Sequence, residues 1–520
     1  MHALSRPAAG RRPRLPAPVV TLMAVVLMAA LPATAPAAST PKRTSAKLKL
    51  STTSTVTQGQ NGVQHMHFVY GPVKINPGQN SIFFEPNTVR PKEDGYFTRF
   101  EPNLIYQDGT IPRVDVVHLH HAVWMINGSP TWAAGEEKTA AIMPPGYGYP
   151  YRTTDRWQMN HMIHNLTPNA TSVYITYDLD FVPATAPQAA AIQPVRTQWL
   201  DVVGGSYPVF DAIKGTGHAG GTRYTYPDDA ADPGVRNAGR WTVGRKQTLV
   251  FVWGHLHPGG LYDDLKITRN GVTKLLFRAN TKYYEPAGAV SWDVAVTVTP
   301  TDWRINVQPG DVISMSGTYD TSRASWYESM AIMPISVADG WSGVDPFTQP
   351  YPTKGVLTHG PLAENRNHGG ARAGLPNPLK LLGTTAPVSQ VAIDDFVYGQ
   401  GDLSAVGRAG RLPVVHPGES LTFLNNDAFD VNRITDPRTI YHTITACKSP
   451  CNRQTGIAYP LADGKVAFDS GELGFGPYRN AAQRKTWSTP KTLATGTYSY
   501  FCRIHPFMRG AFRVVKVKGT

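Results

Sequence analysis

One short segment near the C-terminus holds three side chains that bind transition metals. Cys502, His505 and Met508 recur at every third position of Cys-Arg-Ile-His-Pro-Phe-Met, and His442 lies upstream in Tyr-His-Thr-Ile-Thr. A thiolate, two imidazoles and a weak thioether form the ligand set of a blue-copper electron-transfer site, because soft sulfur holds Cu(I) and imidazole suits both oxidation states. The spacing therefore predicts a copper site built from these four side chains.

This C-terminal segment is similar to cupredoxins, and its Cys-x2-His-x2-Met loop resembles the short loop of amicyanins. The resemblance implies that His442, Cys502 and His505 are the equatorial ligands of the copper and that Met508 is its axial ligand. Multicopper oxidases and copper nitrite reductases place a histidine directly beside the cysteine. Here Phe501 and Arg503 flank it, so direct transfer to a second copper through a neighbouring histidine is not expected.

Most of the other histidines lie in clusters, and histidine is the commonest transition-metal ligand. The clusters are His65 and His67; His118, His120 and His121; His161 and His164; and His255 and His257. Residues i and i+2 of a strand point to the same face, so His255 and His257 can chelate one ion. The same rule favours His118 with His120 over His121. Periodicity alone does not establish which clusters converge, and the pair at 65 and 67 is expected to be ordinary strand residues.

The order of these elements between about 60 and 340 resembles the copper type II, ascorbate-dependent monooxygenases, peptidylglycine α-hydroxylating monooxygenase and dopamine β-monooxygenase. The matching segments are Arg113-Val-Asp-Val-Val-His-Leu-His120-His121, Asn160-His161-Met-Ile-His164-Asn, His255-Leu-His257 and Tyr327-Glu-Ser-Met330-Ala-Ile-Met. The resemblance implies two copper sites, one with His120, His121 and His164 and one with His255, His257 and Met330. A β-bulge would bring His120 and His121 to one face. His161 and Met333 are alternatives to His164 and Met330.

The resemblance also implies the chemistry. In such enzymes the copper held by two histidines and a methionine activates dioxygen, which makes His255, His257 and Met330 the expected catalytic ligands. The three-histidine copper stores the second electron, and the C-terminal domain could deliver electrons where the family uses ascorbate. The family's disulfides cannot form, since this region has no cysteine, and Ala122 replaces the methionine that follows its His-His pair.

We therefore expect an exported copper-dependent monooxygenase that hydroxylates an unknown organic substrate with O2, using an external electron donor. Two rival functions use the same residues. One is a non-catalytic, extracytoplasmic copper-binding or electron-transfer protein, and the other is a copper oxidase that reduces O2 without hydroxylation. The positive charges that give the net +13 are scattered, so no nucleic-acid partner is expected.

Short β-type runs broken by turn residues, with Gly 48 and Pro 44 among 520 residues, are typical of β-sandwiches. The expected fold is all-β, with two tandem antiparallel β-sandwiches followed by a cupredoxin Greek-key β-barrel. The expected segments are a signal peptide at 1–38, a flexible lead-in at 39–58, sandwiches at 59–197 and 198–340, a Gly/Pro-rich linker at 341–385 and a cupredoxin domain at 386–520. In the linker, His359 and His368 belong to a solvated loop or to a loop folded over a copper site.

The N-terminus and the cysteines indicate export. Basic residues precede a short apolar run and small residues around Ala35, as in a secretory signal, and the run is too short for a typical membrane span. The chain is therefore expected to be secreted, with no stable membrane span. Only three cysteines occur, so the fold does not rest on a disulfide framework, and Cys447 and Cys451 are close enough in sequence to pair.

Overall fold

The protein is represented by a computed structural model. It describes residues 54–79, 82–114, 116–167, 169–204, 208–232, 234–235, 239–284, 289, 292–361, 376–403, 410–428, 440–449, 466–475, 484–505 and 507–516. The signal peptide expected at 1–38, most of the lead-in, Cys451 and His368 lie outside these residues. Among the described residues there is no helix long and apolar enough to cross a membrane.

The strands are numbered in chain order. The first eleven are β1 Ser54–Gln58, β2 Gln64–Ile75, β3 Ile82–Glu85, β4 Gly95–Ile105, β5 Val117–Ile126, β6 Ser129–Ala134, β7 Ala141–Ile142, β8 Tyr147–Tyr151, β9 Trp157–Asn165, β10 Thr171–Pro183 and β11 Gln193–Asp201. The next thirteen are β12 Phe210–Ala212, β13 Arg223–Tyr226, β14 Arg240–Thr242, β15 Gln247–Val252, β16 His255–Leu256, β17 Gly260–Arg269, β18 Val272–Tyr283, β19 Val294–Val298, β20 Ile305–Val307, β21 Val312–Asp320, β22 Trp326–Ser329, β23 Ala331–Asp339 and β24 Val356–Thr358.

The C-terminal strands are β25 Gln390–Ile393, β26 Val414–Val415, β27 Thr422–Asn425, β28 His442–Lys448, β29 Val466–Leu473, β30 Thr486–Ser488, β31 Gly496–Phe501 and β32 Arg509–Val514. Single 3₁₀ turns occupy Gln60–Gly62, Pro187–Ala191 and Pro378–Lys380. No α-helix occurs in the part of the chain that the structure describes. The all-β prediction is confirmed.

Most of the strands before residue 340 belong to three large sheets. An 11-stranded sheet has the order β1-β2-β10-β4-β8-β11-β23-β15-β20, with β7 and β16 at its side; a 4-stranded sheet has the order β3-β9-β5-β6; and a 7-stranded sheet contains β13-β21-β17-β18-β19-β24 with β14. The largest sheet is continuous past residue 197, because β11 pairs with β8 on one edge and with β23 on the other. The two expected sandwiches therefore share one sheet.

The first core is built from aromatic rings that hold β5 and β9 in place. Phe100 stacks on Trp132 with ring centroids 4.9 Å apart, and Trp124 of β5 meets Phe100 at 4.7 Å. Trp157 of β9 meets Phe97 at 5.3 Å. Burial of such rings is a large source of stability, so the strands that carry the histidine clusters are anchored along their length.

The C-terminal strands form two sheets, β26-β32-β31-β28-β29 and β25-β27-β30. They enclose a third core that includes Phe423, Tyr500, Phe512, Cys502 and Met508. No sheet closes on itself among the described residues, so the closed barrel expected for this region is not seen. Packing between two open sheets buries its apolar residues instead.

The lead-in prediction is wrong for its last five residues. Residues 54–58 form the exposed edge strand β1, which pairs antiparallel with β2 from Ser54↔Phe68 to Gln58↔Gln64. The segment Ser-Thr-Val-Thr-Gln is rich in β-branched residues, which favour strands. Composition alone had indicated flexibility because Ser and Thr are also common in linkers.

Candidate metal centres

The C-terminal ligands are brought together by two neighbouring strands. His442 is the first residue of β28 and Cys502 directly follows β31, and these strands pair antiparallel. Cys502 Sγ lies 3.9 Å from His442 Nδ1 and 3.7 Å from His505 Nδ1, and the two Nδ1 atoms are 3.1 Å apart. These three buried groups could hold a metal ion.

Met508 closes the ligand loop from its C-terminal side. Its N–H donates to the His505 carbonyl at 2.9 Å, and its carbonyl accepts from the Cys502 N–H at 3.2 Å. The Met508 side chain is fully buried in the same core as Cys502. The structure therefore places all four predicted residues in one small region.

The surroundings of this group favour the metal-binding form of its cysteine. His442 Nε2 lies 2.8 Å from Asp427 Oδ2, which leaves Nδ1 facing the sulfur. Burial alone would raise the pKa of the Cys502 thiol, but His505 and His442 hold it well below its usual value. Burial would lower the pKa of His442, but its hydrogen bonds to Asp427 and Cys502 raise it to about 9. The thiolate is the form that binds a metal.

Cys502 is free and buried, whereas Cys447 is in a disulfide. The odd cysteine of the chain is thus the one that lies beside His442 and His505.

A β-bulge brings the second histidine group together. In the pairing of β5 with β9 the register shifts between Leu119 and His121, so that His118 lies opposite His164 and Ala122 lies opposite His161. A bulge inserts one residue and turns neighbouring side chains to one side. The bulge expected at His120 and His121 is therefore present, and their Nδ1 atoms are 3.0 Å apart.

His120 lies at the centre of this group, which we call the histidine cluster: His118, His120, His121, His164, His255 and His257. The ring centroid of His120 is 4.5 Å from that of His164 and 4.5 Å from that of His257. The rings of His255 and His257 are 5.2 Å apart. Side chains from both expected copper sites thus touch each other, with no solvent gap between His120 and His257.

Three of these imidazoles present an unused nitrogen. His164 Nε2, His255 Nε2 and His257 Nε2 are buried and have no hydrogen-bond partner among the residues that the structure describes. The Nδ1 atom of His255 lies 2.9 Å from Glu137 Oε1, and that of His257 donates to the Glu328 carbonyl at 2.7 Å. Metal-binding histidines commonly donate their other ring N–H to a carboxylate or a carbonyl. The free imidazole nitrogens are therefore donors of a type that transition metals take, although among the described residues only His442, Cys502 and His505 bring three such donor atoms within 4.8 Å of one another.

His164 is oriented by His118 in the same way. His118 Nδ1 donates to the Val114 carbonyl at 3.0 Å, so its Nε2 carries the lone pair and lies 3.1 Å from His164 Nδ1. In this tautomer His164 donates from Nδ1 and keeps its Nε2 lone pair free. His118, which strand geometry favoured as a ligand, therefore acts as the orienting partner of His164.

Burial favours the uncharged form of five histidines of the cluster. It lowers the pKa of His118 and that of His121 to about 3 each. Burial first, and then repulsion from neighbouring histidines, holds the pKa of His120, that of His164 and that of His257 well below the usual value. Neutral imidazole is the form that binds metals.

The methionines expected as sulfur ligands of this region, Met330 and Met333, are both buried. Met330 is buried directly before β23, where its carbonyl accepts from the Tyr319 hydroxyl at 2.6 Å, and Leu256 pairs with the next residue, Ala331. Met333 packs into the second hydrophobic core. Met162, which the sequence reasoning missed, lines a cavity with the histidines. It lies opposite His121 in the sheet, a position that only the bulged register reveals.

Two other histidine groups lie outside this arrangement. His161 stacks on Phe83 with centroids 5.8 Å apart, and its Nε2 lies 3.9 Å from Glu85 Oε1. His65 and His67 form exposed pairs with aspartates of β10 at 2.6 Å and 2.8 Å. These last two are ordinary strand residues, as expected.

A cavity of about 110 Å³ lies between the histidine cluster and the C-terminal region. Residues from both sides line it: His120, Met162, His164, Leu166, His257, Pro258, Trp292, Trp326, Tyr327, Glu328, Thr443, Glu472, Arg503 and Ile504. Arg503 and Ile504 stand between the ligands Cys502 and His505 in sequence. The Arg503 guanidinium donates to the Ser325 carbonyl at 3.0 Å and to Asp469 at 3.1 Å, which fixes this loop against β22.

The linker packs beside the histidine cluster. Its Gly360 N–H donates to the Glu137 carbonyl at 3.1 Å, and the Pro361 carbonyl accepts from Lys138 Nζ at 3.3 Å. His359 Nε2 is buried without a partner. The described part of this loop therefore covers the segment that orients His255.

Comparisons with known proteins give no family. No family model matches the chain, and no curated protein matches it. A copper-containing nitrite reductase from Thermus scotoductus is 14% identical, with a TM-score of 0.15, over 53% of this chain and 55% of its own. Tandem CBM51 modules of a family 98 glycoside hydrolase from Streptococcus pneumoniae are 9% identical, with a TM-score of 0.13, over 53% of this chain and 84% of their own. Such low TM-scores carry no argument about function.

Proposed function

We propose that the protein is an exported copper oxidoreductase that uses O2 to hydroxylate a small organic substrate. The observation that carries the proposal is the shared cavity, in which the loop between Cys502 and His505 meets the imidazoles of His120, His164 and His257. His442, Cys502, His505 and Met508 would hold a blue copper. The histidine cluster, with Met330 or Met162 as a thioether donor, would hold the copper that reacts with oxygen.

When bound, copper supplies one-electron redox chemistry, and thioether ligation favours the Cu(I) state. The chain supplies the conditions for that chemistry. Glu137 and the Glu328 carbonyl hold the Nδ1 protons of His255 and His257, which leaves both Nε2 lone pairs available to a metal. Glu328 has φ +50°, an uncommon conformation for a residue with a side chain, and it presents its carbonyl to His257.

The residues that line the cavity limit which molecules can approach the histidine cluster. Trp292 lies with its ring centroid 4.7 Å from that of His120 and 4.8 Å from that of His257, so an indole covers the cluster. Ligand pockets for drug-sized molecules are roughly 300–1,000 Å³, whereas this cavity has about 110 Å³. A small substrate fits this space better than a peptide does.

The test is oxygen incorporation. With a chemical reductant and a panel of small organic compounds, we expect uptake of labelled O2 and one labelled oxygen atom in a product. His257→Ala should abolish both, while the matched change His65→Ala, at an exposed histidine outside the cavity, should leave both unchanged. Labelled oxygen that appears only in water would contradict hydroxylation.

A second candidate is an oxidase that reduces O2 to water without hydroxylation. The contact between His120 and His257, with centroids 4.5 Å apart, favours it because the monooxygenase family that the sequence resembles keeps its two sites apart across solvent. It predicts reductant-dependent O2 uptake with no labelled organic product. If neither reaction occurs and only the blue site cycles, electron transfer is the sole role.

A further inference from the structure

The outer edge of His505 is buried against the N-terminal half of the chain. His505 Nδ1 faces Cys502 Sγ at 3.7 Å, so Nε2 points away from the ligand group. That nitrogen donates to the carbonyl of Gly78 at 3.1 Å, across 427 positions of sequence. His505 is 1% exposed, so its ring edge is covered by this contact.

Gly78 is shaped for the contact. It has φ +59°, and a Cβ atom there would lie 1.9 Å from the Phe396 ring and 2.8 Å from His505 Nε2. Only glycine lets the main chain come this close. The turn of residues 76–79 is also closed on itself, because the Gln79 N–H donates to the Asn76 carbonyl at 3.2 Å and Gln79 Oε1 accepts from the Asn76 N–H at 3.2 Å.

The same turn is tied to the histidine cluster by Asn165, the residue after His164. The Asn165 N–H donates to the Gln79 carbonyl at 3.4 Å, and its side-chain NH₂ donates to the Asn76 carbonyl at 3.1 Å. Asn165 is fully buried. A continuous connection therefore runs from the His505 ring through Gly78 and Gln79 to the main chain of His164, with two hydrogen bonds and no gap.

We propose that the turn of residues 76–79 is the electron route between the C-terminal ligand group and the histidine cluster, with Asn165 as its positioning residue. The inference rests on the proposed function, which assigns copper to both ends. One electron leaves the reduced group at Cys502 and His505 and arrives at the oxidised group at His164. A one-electron donor of the ascorbate class then reduces the C-terminal group again, and no bond or proton changes place.

The alternative route crosses the cavity through Arg503, which follows Cys502 directly. Among the residues that the structure describes, the Arg503 guanidinium makes no hydrogen bond to a cluster histidine and binds Ser325 and Asp469 instead. The two routes can be separated by substitution, because Asn165 and Arg503 share no contact with each other among the hydrogen bonds of the described residues.

The experiment is intramolecular electron transfer in copper-loaded protein after flash reduction, followed by the visible band of the C-terminal site. Asn165→Ala removes the side-chain hydrogen bond that holds the turn of residues 76–79. Gly78→Ala forces the turn away from His505. We expect either change to slow transfer by about tenfold or more, as misplacement by about 1 Å does in other preorganised sites. Gly78→Ala should also shift the reduction potential of the C-terminal site, because it removes a hydrogen bond to a ligand.

The matched control is Asn127→Ala. The Asn127 side chain also holds a turn by hydrogen bonds, to Asp155 and to the Arg156 N–H, but at the far end of the same sheet. This variant should leave the rate unchanged. A rate in Asn165→Ala and Gly78→Ala within twofold of the unaltered protein, or a loss of rate only in Arg503→Ala, overturns the route. If transfer depends on Asn165 but no O2 is consumed, the route stands and the proposed function fails.

Discussion

At the scale of single residues, the protonation of ring nitrogens decides what the histidines can do. His118 shows this most clearly, since its chain of hydrogen bonds from Val114 to His164 leaves the His164 Nε2 lone pair free. Spacing alone had favoured His118 as a ligand. The bulge at His120 and the tautomer together assign it a supporting role instead.

His118→Phe tests that role. Phenylalanine keeps a ring against Trp292 but removes both nitrogens, so His164 loses its partner. We expect copper affinity at the histidine cluster to fall by about tenfold to a hundredfold, the usual cost of such a second-sphere loss, with the C-terminal site unchanged. The measurement is copper competition with a chelator.

The control for that measurement is His218→Phe, since His218 is an exposed residue that pairs with Asp229. Equal affinity in the two variants would show that His118 has no orienting role.

Cys502→Ser tests the C-terminal ligand group. Serine is nearly isosteric but offers no thiolate, so the intense visible absorption of a blue-copper site should vanish while the far-ultraviolet circular dichroism is kept. Persistence of the band would rule out Cys502 as the ligand.

At the scale of elements, a buried ion pair supports the bulge in β5. Lys138 Nζ lies 3.2 Å from Glu136 Oε1, with both side chains almost fully buried, and Glu136 Oε2 accepts from the Leu119 N–H at 3.0 Å. The pair thus joins the loop after β6 to the strand position where the register shifts.

Lys138→Met should destabilise the fold by about 3–5 kcal/mol, because it leaves an uncompensated buried carboxylate. Adding Glu136→Gln should recover much of that loss. The free energy of unfolding from urea denaturation measures both, with the exposed Lys380→Met as the control. If Lys138→Met is as stable as the control Lys380→Met, the ion pair between Lys138 and Glu136 contributes nothing to holding β5.

The sequence predicted β-type segments around His118, His120 and His121 and around His255 and His257, and β5 and β16 are found there. It did not predict Met162 in the cavity, since that position becomes visible only after the bulge shifts the register. It also did not predict the sheet that continues past residue 197, because pairing of β11 with β8 and with β23 depends on contacts far apart in sequence.

At the scale of the whole molecule, the C-terminal region covers the histidine cluster, with residues of both lining one cavity, and in the proposed function it is also the redox partner of that cluster. Arg503 donates to the carbonyl of Ser325, the residue before β22, and His505 donates to the carbonyl of Gly78, so the loop that carries Cys502 and His505 is fixed to the rest of the chain at two points. If the proposed function is right, this arrangement lets the C-terminal group exchange electrons with the histidine cluster although no histidine stands beside Cys502.

The measurement that tests the account most directly is copper content per chain together with electron paramagnetic resonance of the oxidised protein. We expect one blue copper and at least one further copper without intense colour, and His257→Ala should remove signal only from the latter. One copper per chain with a purely blue signal, in protein that has been offered excess copper, would contradict a second centre at the histidine cluster.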